Sequence, residues 1–247
     1  MFIVFYLVFF KKQEVDWFIG WKKFSLKEKA KSMNLNLIFK NKKIRELTYD
    51  SVVTEKPMSD LVDFDYKKIL KPPPSNTSQA VQKELRIISE QTSRRTNDDY
   101  DLIFRIDEDI DPFYIRLLKS YQLEYPKRYI DLFYDIVKPI LLNTKSYWNR
   151  PRPVQLAKFY NIDIEQITTD TIHTASYPSG HTVYSRLVRN ILVDLYLDLS
   201  KSLDIIVEKT AEARIKQGVH YPSDNNASII FTDYVYKKLE PKLKKYK

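Results

Sequence analysis

Apolar residues recur three and four apart through most of the chain, the spacing of one buried helix face. Val81, Leu85 and Ile88 mark it in AVQKELRIISEQTSRR, and DPFYIRLLKSYQLEY and YPKRYIDLFYDIVKPILLNTKSYW continue it. Pro126 is expected to start the last of these helices and Pro139 to kink it. In TVYSRLVRNILVDLYLDLS, Val183, Leu187, Ile191, Leu195 and Leu199 stand four apart and predict a strong amphipathic helix. LDIIVEKTAEARIKQGV predicts another, with Gly218 as its C-cap. PSDNNASIIFTDYVYKKLEPKL predicts the last, starting at Pro222 or Ser223. Three prolines in KPPPSNTS force an extended break, after which Ser75 or Thr77 is expected to cap the helix that begins near Gln79. Strand signals are weak and lie mostly in residues 1–55. The pattern predicts an all-α helical bundle whose distinctive motifs sit at helix ends. It also divides the chain into a basic N-terminal extension, 1–56, of uncertain structure, and a helical domain, 57–247.

Composition changes this picture little. With 43% apolar residues among 247, a sizeable core is available. The absence of cysteine excludes disulfides and cysteine-based zinc or redox sites. The net charge of +9 belongs to the ends: residues 1–56 carry +6 and Tyr236–Lys247 carry +5, which leaves the body between them at −2. Basic ends suit a solvated surface or a peripheral contact with an anionic membrane. A body without a basic groove argues against nucleic acid. The opening MFIVFYLVFF has ten apolar residues, too few to span a bilayer as a helix, and no small-residue cleavage site follows it. A buried element, a signal and an anchor remain alternatives for it.

Three clusters carry candidate chemistry. KSYWNRPRP offers Lys145, Arg150 and Arg152, cations suited to phosphate. In SYPSGHT, Ser179, Gly180 and His181 precede a helix, where free N–H groups favour anions and a glycine admits close backbone approach. In ARIKQGVHYPSD, Asp224 follows His220 by four residues and can fix its tautomer, turning the other ring nitrogen outward. Each cluster alone also reads as an ordinary loop or cap. Together they supply what phosphoryl transfer needs: fixed cations, N–H donors and two imidazoles, one to attack phosphorus and one to protonate the leaving oxygen.

These residues resemble a three-part family signature. KSYWNRPRP matches K-x6-R-P through Lys145, Arg152 and Pro153; PSGH is Pro178 to His181; and ARIKQGVHYPSD matches S-R-x5-H-x3-D through Arg214, His220 and Asp224. The chain is similar to the type 2 phosphatidic acid phosphatase superfamily, which includes class A nonspecific acid phosphatases and vanadium haloperoxidases. ILKPPPSNTS also resembles the LLPPPP segment that opens the acid phosphatase domain, so the likeness covers about residues 65–240. It implies that His220 is the nucleophile, that Asp224 orients it, and that His181 is the general acid and then the base. Lys145, Arg152, Arg214, Ser179 and the Gly180 N–H would hold the phosphoryl oxygens. No metal or cofactor is implied, and vanadate is expected to act as a phosphate mimic. Expected substrates are phosphorylated small molecules. A lipid phosphate or polyprenyl diphosphate is the alternative, ahead of a vanadate-dependent haloperoxidase or an inactive binding protein. Two departures stand out: Ala213 replaces the motif's serine, and DNNAS after Asp224 is unusually polar. Specificity is expected from the walls between the motifs, residues 95–125 and 159–175, and His173 is read as a loop residue near the rim.

Overall fold

The computed structural model describes residues 44–49 and 65–246, and the chain divides into two compact units, Met1–Glu46 and Leu47–Lys247. Of the first unit, only a 3-10 turn, Ile44–Glu46, is described. MFIVFYLVFF, the strand signals of the N-terminal part and the expected 56/57 boundary lie outside the described residues. In the second unit Leu47 is buried, Asn76 donates to its carbonyl, and Tyr49 N–H donates to Asn149 O at 3.0 Å.

The described part of the second unit is all helix and loop. Its helices are α1 (Tyr66–Ile69), α2 (Gln79–Ser93), α3 (Asn97–Glu108), α4 (Asp111–Ser120), α5 (Lys127–Trp148), α6 (Pro153–Ala157), α7 (Gly180–Leu195), α8 (Ser200–Lys216) and α9 (Pro222–Leu243). Helix α7 is central and packs along both α8 and α9, with α5 on another side and α2 and α3 against α8. Its apolar residues Val183, Leu187, Val188, Ile191 and Leu192 are fully buried, as are Phe133, Val137 and Ile140 of α5 and Phe231, Val235 and Leu239 of α9.

Polar groups lock the three-helix centre. Arg186 donates to Asp233 of α9 and Asp204 of α8, and Arg189 to Asp204. The polar DNNAS stretch belongs to this packing. Asn225 accepts from Thr182 of α7 at 2.8 Å and donates to Ala211 O of α8 at 2.9 Å, and Ser228 donates to Ser179 O at 3.0 Å. Small buried hydroxyl and amide groups let the helices approach closely while every polar atom named finds a partner.

Three local expectations change. Ser78 caps α2, its Oγ accepting from Val81 N at 3.2 Å, while the Ser75 and Thr77 hydroxyls bond each other. The run through Leu199 is broken at Tyr196, where backbone angles of φ −140 and ψ 70 end α7, and Leu199 reaches the core from a separate 3-10 turn. Helix α3 was absent from the apolar reading, although its capping box was there to find: Thr96 accepts from Asp99 N, and Asp99 accepts from Thr96 N. Gly218 does end α8, at φ +81.

Candidate active site

Four helix ends bring motif residues to one cavity of about 610 Å3. Lys145 comes from the last turn of α5 and Arg152 from the loop before α6. Gly180 and His181 are the first two residues of α7, and His220 lies in the turn before α9. All five line the cavity. Asp224 and Arg214 stand immediately behind its wall, and Ser179 is fully buried, its Oγ accepting from Thr182 at 3.1 Å.

The turn that positions His220 depends on Gly218. Its φ of +81 is in the left-handed region, and a Cβ there would fall 3.0 Å from Ile164 Cγ2 and 3.2 Å from the Gln166 Cα. The reversal turns His220 inward, leaving it 2% exposed. Gly180 differs. A Cβ on it would make ordinary contacts, 3.7 Å to Leu141 and 4.0 Å to Lys145, so the protein itself does not demand a glycine. Its N–H, at the first position of α7, has no acceptor within the helix.

Asp224 serves both the helix and the histidine. As the third residue of α9 its Oδ2 accepts from Tyr221 N–H at 3.0 Å, and the same oxygen accepts from Ser176 at 2.6 Å and from His220 Nδ1 at 3.1 Å. Its Oδ1 accepts from Arg150, which also donates to Ser223 and Glu84 and lies 3.6 Å over the Tyr221 ring. Burial pushes the Asp224 carboxyl up, but Arg150 and the hydrogen bonds outweigh it and hold the group ionised. An ionised Asp224 only accepts, so Nδ1 of His220 carries the hydrogen. Nε2 then keeps its lone pair and accepts from Arg152 Nη1 at 2.9 Å. Burial, followed by the charge of Arg152, holds His220 well below its ordinary value, so the ring stays neutral. The sequence groups Arg150 with the cations suited to phosphate, but here it is turned to Asp224, Ser223 and Glu84 and does not line the cavity. Its proximity to Arg152 in NRPRP was the only available signal.

The cations around Nε2 are unusual. Lys145 is 3% exposed and donates to Ala175 O at 2.6 Å; Arg152 is 4% exposed and donates to the carbonyls of Thr174 and Val219. Neither makes an ion pair with a carboxylate among the described residues. Burial, with each guanidinium acting on its neighbours, pushes Lys145 well down and Arg152 down to about 10. Buried cations without counter-charge are costly, and an oxyanion offsets that cost. Arg214, 1% exposed, pairs instead with Asp107 at the end of α3 and donates to Thr171.

His181 faces the same cavity, its Nε2 3.5 Å from the Asp107 carbonyl and 3.9 Å from its carboxylate. Burial and then Arg214 push it down to about 3. Both expected wall segments contribute, through Ile106–Ile110 and through Asp170, Thr171 and Thr174. A third wall was not anticipated: Lys127, Asp131, Tyr134 and Lys138 along one side of α5. His173 is exposed and is not part of the lining. Among the described residues no group of three or more His, Asp or Glu is placed to hold a metal ion. The cations and N–H donors around the cavity suit an oxyanion.

No curated protein matches the chain. Among solved structures, the chain is similar to one described as the first transmembrane PAP2 type phosphatidylglycerolphosphate phosphatase from Bacillus subtilis. The identity is 18% and the TM-score 0.46, over 69% of this chain and 91% of that one. No helix of the described residues is long and apolar enough to cross a membrane. A family profile described as PAP2 superfamily matches residues 132–235, the segment that carries Lys145, Arg152, His181, Arg214, His220 and Asp224. Over these residues, rather than over the chain as a whole, the sequence matches the PAP2 superfamily, that of the type 2 phosphatidic acid phosphatases.

Proposed function

We propose that the protein hydrolyses phosphate monoesters through a phosphohistidine at His220. One observation carries the reading: a neutral imidazole on the cavity wall, its unprotonated Nε2 held by Arg152 at 2.9 Å, beside two buried cations, Lys145 and Arg152, that have no carboxylate partner among the described residues. In the first step Nε2 attacks phosphorus, the P–N bond forms as the ester P–O bond breaks, and protonated His181 gives its proton to the leaving oxygen. In the second, water gives a proton to His181 and attacks phosphorus, the P–N bond breaks, and inorganic phosphate leaves. Lys145, Arg152, Arg214 and the Gly180 N–H stabilise the charge on the equatorial oxygens. Ser179 supports them by fixing the start of α7. The cations do the electrostatic work, so added metal is not expected to be needed.

A second reading, a phosphate ester with a hydrocarbon tail, is favoured by a groove of about 630 Å3. It shares Ile106, Glu108 and Asp109 with the catalytic cavity and is lined by Phe113, Leu117 and Ile205.

The test is hydrolysis of p-nitrophenyl phosphate between pH 4 and 8, with and without chelator and vanadate, followed by short-chain phosphatidic acid against glycerol phosphate. Activity that resists chelator, yields to vanadate and disappears in His220→Ala supports the proposal. Well-folded protein without activity on any of these esters sinks it. A strong preference for the acylated ester would select the second reading.

A further inference from the structure

Asp107 lies in none of the three motifs, yet it stands between two of the groups they bring together. Its Oδ1 accepts from Arg214 Nη1 and, at 2.6 Å, from Thr171 Oγ1, which in turn accepts from Arg214 Nη2 at 3.2 Å. The triangle fixes the carboxylate against the buried guanidinium. The same residue also faces His181, whose Nε2 is 3.5 Å from the Asp107 carbonyl and 3.9 Å from that same Oδ1. A ring nitrogen that near a carbonyl acts as donor, so the edge carrying a proton is the edge toward Asp107. At 3.5 Å the bond is long and weakly held, as suits a proton that must change partners.

Resting on the phosphatase reading above, we infer that Asp107 is the positioning residue of the general acid. Its carbonyl and carboxylate hold the proton-bearing edge of His181, and its negative charge offsets Arg214 so that the ring can carry a proton at all. The charges facing His181 are Arg214 from α8, Lys145 from α5 and Asp107 from α3, with Asp109, Asp170 and His220 elsewhere on the cavity wall. Arg214 and Lys145 oppose protonation, while Asp107 favours it. The carboxyl itself stays ionised: burial raises it, but hydrogen bonds from Thr171 and Arg214 bring it below its ordinary value. Without it, the first step must expel an unprotonated alkoxide, because the leaving oxygen finds no acid.

That consequence separates positioning from mere support of the fold. A p-nitrophenolate leaves readily without a proton, whereas an alkoxide does not. Asp107→Asn keeps the shape and the Oδ1 acceptor but removes the charge. It is expected to lower kcat on an alkyl phosphate by about 10²-fold or more, the scale of lost general acid catalysis, and on p-nitrophenyl phosphate far less. Asp107→Glu should restore part of the alkyl rate. Independently of turnover, the imidazole of His181 in full-length Asp107→Asn, followed by NMR and assigned with His181→Gln, should titrate at lower pH than in the wild type. Equal losses on both esters, or an unchanged His181 titration, overturns the assignment of Asp107 while leaving the phosphatase reading intact. A folded wild type that hydrolyses neither ester removes both.

Discussion

Arg150 shows how much of the site's order rests on a residue outside the signature. It is 2% exposed and splits its guanidinium between Asp224 and Glu84 while covering the Tyr221 ring. Asp224 is fully buried, so removing Arg150 leaves a carboxylate whose remaining hydrogen-bond partners, the neutral His220, Ser176 and the Tyr221 N–H, carry no charge. Breaking a buried pair from one side costs about 3–5 kcal/mol. Arg150→Met is therefore expected to lower unfolding free energy in urea by that order and to slow turnover as His220 loses its fixed tautomer. A variant as stable and as active as wild type would show that Ser176 and Tyr221 N–H alone hold the carboxylate. The same scale explains what sequence could and could not read. The four-residue step from His220 to Asp224 is local, and the expected contact is present at 3.1 Å. Arg150 reaches Asp224 across 74 positions and Arg214 reaches Asp107 across 107, so no spacing could indicate either pair.

At the scale of elements, the site is a set of helix ends, and the sequence marks most of them. Gly218 ends α8 and Pro222 opens α9, with His220 in the short turn between. Gly218→Ala must hold an alanine in left-handed backbone and push its Cβ against Ile164 and the Gln166 backbone. Strain of this kind costs about 1–3 kcal/mol. Chemical denaturation should show a loss of at least that size, together with weaker turnover because the turn carries His220. Unchanged stability would mean the loop around Ile164 yields freely. Helix α3 was less legible, because its capping box is its clearest signal and its buried residues, Ile103 and Ile106, are few. Its role as a cavity wall, like that of the Lys127–Lys138 side of α5, follows only from where these helices lie against α7 and α8.

For the whole molecule, burying this many ionisable groups makes stability depend on pH. His181, at about 3 in the fold against 6.5 when free, binds its proton only in the unfolded chain throughout that interval. His220 is displaced in the same direction. Stability therefore rises with pH from about 3 to about 6.5 and is lost as pH falls through that window. Asp224 and Asp107, both lowered, add losses in the carboxylate range. Melting temperature in phosphate-free buffer should fall steadily from pH 7 to pH 4, and phosphate should raise it by binding the folded state alone. A flat profile, or indifference to phosphate, would contradict the buried-cation picture. What the sequence by itself determined were the features written locally: the amphipathic helices, the glycine and proline stops, and the motif residues now found around one cavity. Tertiary structure alone decided which cations lack a counter-charge among the described residues, that Asp107 and Arg150 stand beside the two histidine environments, and that Ser179 and Arg214 stand behind the lining. The physical reason is that burial and charge pairing are set by which helix ends meet, and that depends on packing across the entire core.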